Sequence, residues 1–191
     1  MKYFIMFGPP GAGKGTHAAP MVKKYKLKHI STGELLRSEI AAGTELGKQA
    51  QALIEKGDFV PDVVVEGMIA NTFAANPHVK GFLLDGFPRT IQQAIDLDEM
   101  LESRDEHVTG VISLMIPDEE IKARIKGRAL IEGRADDAND ETIANRIRTY
   151  HAKTEPLIEI YKDKGIYNEI NGIGTIEEVQ KRVFATVDKL V

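Results

Sequence analysis

Apolar positions are arranged in two ways along the chain. Short apolar runs have the length and density of buried parallel strands: Tyr3–Phe7, Phe82–Leu84, Val111–Ile116 and, more weakly, Ile166–Ile170, with His29-Ile30 as part of another. Between them the apolar residues spread out to helical spacing, which predicts helices over Lys14–Tyr25, Glu34–Ala42, Glu45–Lys56, Asp62–Ala75, Ile91–Ser103, Glu119–Ile131 and Glu141–Lys164. Gly43 and Gly57 follow two of these as stops, Pro61 suits the start of another, and Pro156 predicts a kink in the last. Thr175-Ile176-Glu177-Glu178 reads as a capping box, after which Ile176, Val179, Val183, Val187 and Leu190 recur at helical spacing. Strand and helix alternate, so the expected class is α/β, a parallel sheet with helices on both faces. No internal repeat or linker divides the chain, which reads as one domain over residues 1–191. The stretch 127–139, polar and charged between two helices, is the least core-like part.

Composition narrows the function classes. The 191 residues carry 42% hydrophobic and 28% charged side chains and a net charge of −4, ordinary for a soluble domain and poorly suited to long-range attraction to nucleic acid or an anionic membrane. Cysteine is absent, which removes disulfides, thiolate catalysis and a cysteine-ligated zinc. The apolar run Tyr3–Phe7 is too short for a signal-peptide core, and no segment approaches the roughly 20 apolar residues that span a bilayer. The expectation is a cytoplasmic protein.

The candidate chemistry begins at residues 7–16, FGPPGAGKGT. Gly8, Gly13 and Lys14 fit the phosphate-loop pattern G-x-x-x-x-G-K-[ST], with Gly15 in the place of the hydroxyl residue and Thr16 one position later. A strand precedes the motif and a helix follows it. Glycines let backbone N–H groups turn toward phosphate oxygens, the helix N-terminus adds favourable partial charge, and Lys14 supplies a mobile cation. A hydroxyl at position 15 would normally hold magnesium. Without it the ion is expected on the phosphates and water, with Asp85, at the end of Phe82-Leu83-Leu84, accepting from those waters.

Two further motifs follow: STGELLR (Ser31–Arg37) and DGFPRT (Asp85–Thr90), the latter followed by Gln93. The three motifs together, in order over most of the chain, resemble the adenylate kinases among the nucleoside monophosphate kinases. That resemblance implies a P-loop three-layer α/β/α core with a five-stranded parallel sheet, a helical nucleotide-monophosphate flap over residues 31–60 and a short lid over 127–137. It implies Mg2+-dependent transfer of a phosphoryl group from ATP to AMP, giving two ADP. The long lid that bears zinc in some members is missing here, so no structural zinc is expected.

Residue roles carry over by position. The phosphate loop, Gly11, Ala12, Gly13, Lys14, Gly15 and Thr16, is expected to hold ATP, with Arg124 over its adenine and the backbone near Gly174 beside it. Arg37 and Arg89 match the residues that grip the AMP phosphate. Thr32 and Gln93 match those that meet its base, and the backbone of Asp58, Phe59 and Val60 and of Gly86 and Phe87 lines the same pocket. Arg128, Arg134 and Arg146 match those that stabilise the transferring group, and Asp136 and Asp137 match an acidic pair that positions lid arginines. The residues support this independently: Arg124 and Arg128 are one helical turn apart, and guanidinium groups suit phosphate because they donate paired hydrogen bonds. No general base is required when the acceptor is already an oxyanion.

Some alternatives stay open at this stage. Thr32 could serve only to cap a helix together with Ser31-x-x-Glu34. A UMP or CMP kinase would share the fold, though Thr32, Thr90 and Gln93 side with adenine. A GTP-dependent switch lacks its Asn-Lys-x-Asp here, and a non-catalytic nucleotide-binding scaffold would bind ATP without making ADP. His17, which stands where the family commonly has Gln, and the other histidines read as surface or packing residues. Gly43, Gly57, Gly127 and Gly133 lie near the ends of the flap and lid as candidate hinges, and free movement of those pieces favours a monomer.

Overall fold

The computed structural model describes residues 1–132 and 139–191. Five strands, β1 (Lys2–Phe7), β2 (Lys28–Ser31), β3 (Gly81–Asp85), β4 (Gly110–Met115) and β5 (Tyr167–Asn171), form one sheet in the order β2-β3-β1-β4-β5, with every neighbouring pair parallel. The helices among the described residues are α1 (Lys14–Tyr25), α2 (Thr32–Ala41), α3 (Glu45–Lys56), α4 (Asp62–Ala75), α5 (Ile91–Glu102), α6 (Asp118–Glu132), α7 (Asp140–Thr149), α8 (Leu157–Asp163) and α9 (Ile176–Val187).

Side chains of β1 alternate between two cores. Tyr3, Ile5 and Phe7 face a cluster built with α4, α5 and α8, whereas Phe4 and Met6 face one built with α1, α6, α7 and α9. Both faces are covered, so the strand is apolar throughout and its period of two is invisible in the sequence. Strand β1 lies mid-sheet, with β3 on one side and β4 on the other. The chain therefore winds in both directions from it, and the crevice at the strands' carboxyl ends is where an open α/β sheet receives ligands.

Three local expectations are revised. The predicted 141–164 helix is α7, a π-helical turn over Tyr150–Thr154, and α8. Pro156 has no N–H to donate and its ring obstructs the preceding turn. The chain widens ahead of it, and Glu155 N–H bonds the Tyr150 carbonyl at 2.9 Å instead of an α-helical partner. Ile176 is 61% exposed rather than part of the core stripe, and α9 ends at Val187, ahead of Leu190. Helix α2 starts two residues early, at Thr32, because Ser31 caps it by accepting from Glu34 N–H; Thr32 is thereby not the cap. The predicted stops at Gly43 and Gly57 are both in left-handed conformation. Gly127 lies within α6, and Gly133 is outside the described residues.

Candidate active site

The phosphate loop leaves β1 and enters α1. Gly8 has φ +131°, and a Cβ there would sit 2.3 Å from the Leu114 carbonyl oxygen of β4, so only glycine lets the chain turn against the neighbouring strand. Gly13, also left-handed, stands at the N-cap of α1, and no side chain caps that helix. Its first N–H groups thus face the crevice as an anion site. Lys14 Nζ donates to the carbonyls of Gly8 (2.9 Å) and Pro9 (2.8 Å), which folds the side chain back over the loop. Burial, reinforced by repulsion from Arg89, Arg146 and Arg128, pulls the Lys14 ammonium down to about 7, although Asp85 draws it the other way. Ala12 is buried and its N–H serves the turn, donating to Pro9 O at 3.2 Å.

Asp85 ends β3, in register with Met6 of β1 and Ser31 of β2. Burial alone would raise its carboxyl; His29, Lys14 and Arg89 outweigh that and hold it below the usual carboxylate value. His29 Nε2 lies 3.9 Å from Asp85 Oδ2, within ion-pair reach and beyond a hydrogen bond. A carboxylate kept anionic beside the phosphate loop is a suitable acceptor for metal-bound water. Among the described residues no group of three or more His, Cys, Asp or Glu is placed to hold a metal ion.

A second cleft opens beside the loop, lined by Thr32, Arg37, Asp58, Phe59, Val60, Gly86, Arg89, Gln93 and Arg146. Its wall is a bracket of hydrogen bonds. Thr32 Oγ1 donates to Gly86 O (2.9 Å), and Arg89 Nε donates to the same carbonyl (2.7 Å). Gly86 has φ +80°, and a Cβ there would meet Thr32 Oγ1 at 2.6 Å. Gln93 Oε1 accepts from Arg89 N–H (2.7 Å), and its Nε2 donates to Asp62 Oδ1 (2.7 Å). A backbone donor on one side and a carboxylate on the other dictate which end of the amide is which. Thr90 caps α5 and donates to Asp62 Oδ2 at 3.1 Å. From the π-helical turn, Thr154 Oγ1 donates to Arg89 O at 2.7 Å. The Arg89 guanidinium lies 5.4 Å from the Phe59 ring centroid, a cation–π distance. Phe87, expected to line the cleft through its backbone, is buried in the core and does not line it, whereas its neighbours Gly86 and Pro88 do.

The first cleft runs from the phosphate loop past Arg124, Arg128 and Gly174. Arg124 is held at both ends, Nε on Glu120 Oε1 (2.7 Å) and Nη2 on Gly172 O (3.1 Å). The two clefts share a wall. Lys14, Arg37, Arg89 and Arg146 line both, brought together from α1, α2, the β3–α5 loop and α7. Arg134, Asp136 and Asp137 lie outside the described residues. The arrangement can receive two anionic ligands end to end with positive charge between them.

Several residues that shape the site escaped sequence reasoning. Asp62 and Thr154 brace the Arg89 segment, and His29 stands beside Asp85. His17 is buried, with Nδ1 2.9 Å from Gln180 Oε1, tying the turn after the phosphate loop to α9. Arg182 Nη1 donates to Asn171 O (2.8 Å) and Ile173 O (2.6 Å), holding the segment that leads to Gly174. His17 fits the packing part of its expected reading. Asp62, Thr154 and His29 are ordinary polar residues whose partners lie 28 or more positions away in the chain.

Comparison with known proteins agrees with this geometry. A family model described as adenylate kinase matches residues 6–166. A protein named adenylate kinase from Leptospira biflexa is 46% identical over 187 residues, covering 98% of this chain and all of its own. Proteins of the same name from Flavobacterium psychrophilum (46% over 186 residues, 97% of this chain and 98% of its own) and Phocaeicola vulgatus (44% over 190 residues, all of both chains) are similar as well.

Proposed function

The chain belongs to the adenylate kinase family, a phosphotransferase that passes the terminal phosphoryl group of ATP to AMP and gives two ADP, and from that membership we propose how its own residues divide the work. The observation that supports the division best is the shared wall: Lys14, Arg37, Arg89 and Arg146 border both clefts, where the two phosphate chains of a bisubstrate reaction must meet.

ATP lies along the phosphate loop. Backbone of Gly11 and of Gly13 to Thr16, with the Lys14 side chain, holds its phosphates, the Ala12 N–H being used in the turn; Arg124 lies over the adenine, and the segment at Gly174 borders the base. AMP lies in the second cleft with its phosphate on Arg37 and Arg89. Thr32, whose hydroxyl donates a hydrogen bond to Gly86 O, accepts from the adenine edge, and Gln93 keeps one N–H and one lone pair for the same base. Arg128, Arg134 and Arg146 spread over the phosphoryl group as its charge develops, with Asp136 and Asp137 orienting the lid arginines. Positioning and charge stabilisation carry the rate, since the acceptor oxygen is already anionic. Asp85 would hold Mg2+ through water, in keeping with its depressed carboxyl and with a glycine at position 15. When bound, that ion neutralises charge on the transferred phosphates. Flap (31–60) and lid (127–137) close over both nucleotides and exclude water, which prevents hydrolysis of ATP. The enzyme works as a cytoplasmic monomer. Among the described residues no helix is long and apolar enough to cross a membrane.

The test is diphosphate formation from Mg-ATP with AMP, UMP, CMP, GMP or water as acceptor. Fast ADP production with AMP alone is expected. Preference for another monophosphate would overturn the roles of Thr32 and Gln93, and acceptor-independent hydrolysis would overturn the division as a whole.

A further inference from the structure

The end of α3 is pinned to α7 by three hydrogen bonds between residues 87 to 89 positions apart in the chain. Thr142 Oγ1 donates to Glu55 O (3.1 Å), and Asn145 Nδ2 donates to both Lys56 O (2.8 Å) and Asp58 Oδ1 (2.9 Å). Two acceptors face that nitrogen, which uses both of its protons. Between them, Gly57 turns in left-handed conformation directly against α7. A Cβ at Gly57 would sit 2.7 Å from Arg146 Cγ and 3.1 Å from Thr142 O. The segment so anchored continues into Asp58, Phe59 and Val60, which line the acceptor cleft, and the residue after Asn145 is Arg146, which lines both clefts.

We propose that Asn145 is a positioning residue that joins the Asp58–Val60 edge of the acceptor pocket to Arg146, so that seating the acceptor nucleotide and placing Arg146 are one event. This rests on the reading of the second cleft as the AMP site. Asn145 touches neither substrate. It acts by holding the chain at 56–58 at a fixed distance from α7. Because Gly57 leaves no side chain between them, a shift of either piece passes to the other. The donor side of the site, along Gly11–Thr16 and Arg124, has no part in this tie, so the effect on binding falls on the acceptor, and the effect on turnover comes through Arg146.

Two kinds of measurement test it. In steady-state kinetics Asn145→Ala should raise KM for AMP about tenfold, the net worth of about one hydrogen bond passed on to the pocket, lower kcat through Arg146, and leave KM for ATP within about twofold. Asn145→Asp should be worse, because its carboxylate meets Asp58 and the Lys56 carbonyl. Asp58→Asn in that background should recover part of the loss, since the new amide can donate to the new carboxylate. In hydrogen exchange of the nucleotide-free protein, amides 53–60 should exchange faster in Asn145→Ala than in the parent. An equal rise in both KM values, an unchanged KM for AMP, absence of recovery in the double variant, or unchanged exchange at 53–60 would each overturn the proposal. If the parent enzyme makes ADP no faster with AMP than with water, the acceptor reading itself fails and takes the positioning role with it; exchange at 53–60 still judges the tie alone.

Discussion

At Lys14 the balance of charge around one ammonium group gives a direct consequence for binding. Burial and three arginines push its proton off near pH 7, far below the ordinary lysine value. A polyphosphate brings negative charge to the same place and favours the protonated form, so its pKa rises on binding. Between about 7 and the ordinary lysine value the complex then holds more protons than the free protein. ATP binding at pH 8 should therefore take up about one proton, and affinity should weaken as pH climbs above 7. Calorimetry in two buffers of different ionisation enthalpy reads this directly; equal enthalpies in both would refute it. Arg89 presents a different case, since its Nε is fixed on Gly86 O, its N–H on Gln93 and its carbonyl on Thr154. It is proposed to grip the AMP phosphate beside the transferring group, and Arg89→Ala should lower turnover by roughly 10³-fold or more, at the low end of the scale for an arginine that acts in phosphoryl transfer. A loss below about tenfold in kcat would remove it from that place.

At the scale of elements, caps and breaks do the positioning. The capping box at α9 closes reciprocally: Glu178 N–H donates to Thr175 Oγ1 (3.2 Å) and Thr175 N–H to Glu178 Oε2 (2.8 Å). Gly174 lies immediately before it, and a Cβ there would meet that same carboxylate at 2.6 Å. Thr175→Ala should cost about 1 kcal/mol, seen as a melting temperature lower by about 2–4 °C. It should also raise KM for ATP without affecting KM for AMP, because only the donor cleft borders Gly174. Unchanged ATP kinetics alongside the stability loss would make the box purely structural. The π-helical turn between α7 and α8 has a comparable role on the other side. Pro156 forces the widening, and the widened turn presents Thr154 to Arg89.

For the molecule as a whole, the proposed closure requires the helices of residues 31–60 and the end of α6 to move against the sheet. Gly43 and Gly57 bracket α3 in left-handed conformation, which suits hinges, yet Gly57 also packs on α7. Movement of the flap therefore involves α7 and Arg146 together. Relaxation-dispersion NMR during turnover should show microsecond-to-millisecond exchange in residues 31–60 and 127–132 and little in the five strands. A flat profile across those segments would sink the closure hypothesis.

What the sequence determined by itself is what depends on neighbours a few residues apart. The phosphate loop, the strand before it and helix after it, the glycine stops and the capping box all rest on local backbone preference and short spacing. So did the approximate extents of the strands, since a strand covered on both faces is apolar along its length. Tertiary structure alone decided which polar groups meet. Gln93 and Asp62 are separated by 31 residues, Thr32 and Gly86 by 54, and Asn145 and Asp58 by 87, and no periodicity encodes such pairs. It also decided that Ile176 lines the cleft at the phosphate loop instead of the core, that His29 stands beside Asp85, and that cations from α1, α2, the β3–α5 loop and α7 form one wall. Like charges gather there only because the packing of apolar residues elsewhere holds them together against their repulsion, the repulsion that depresses Lys14.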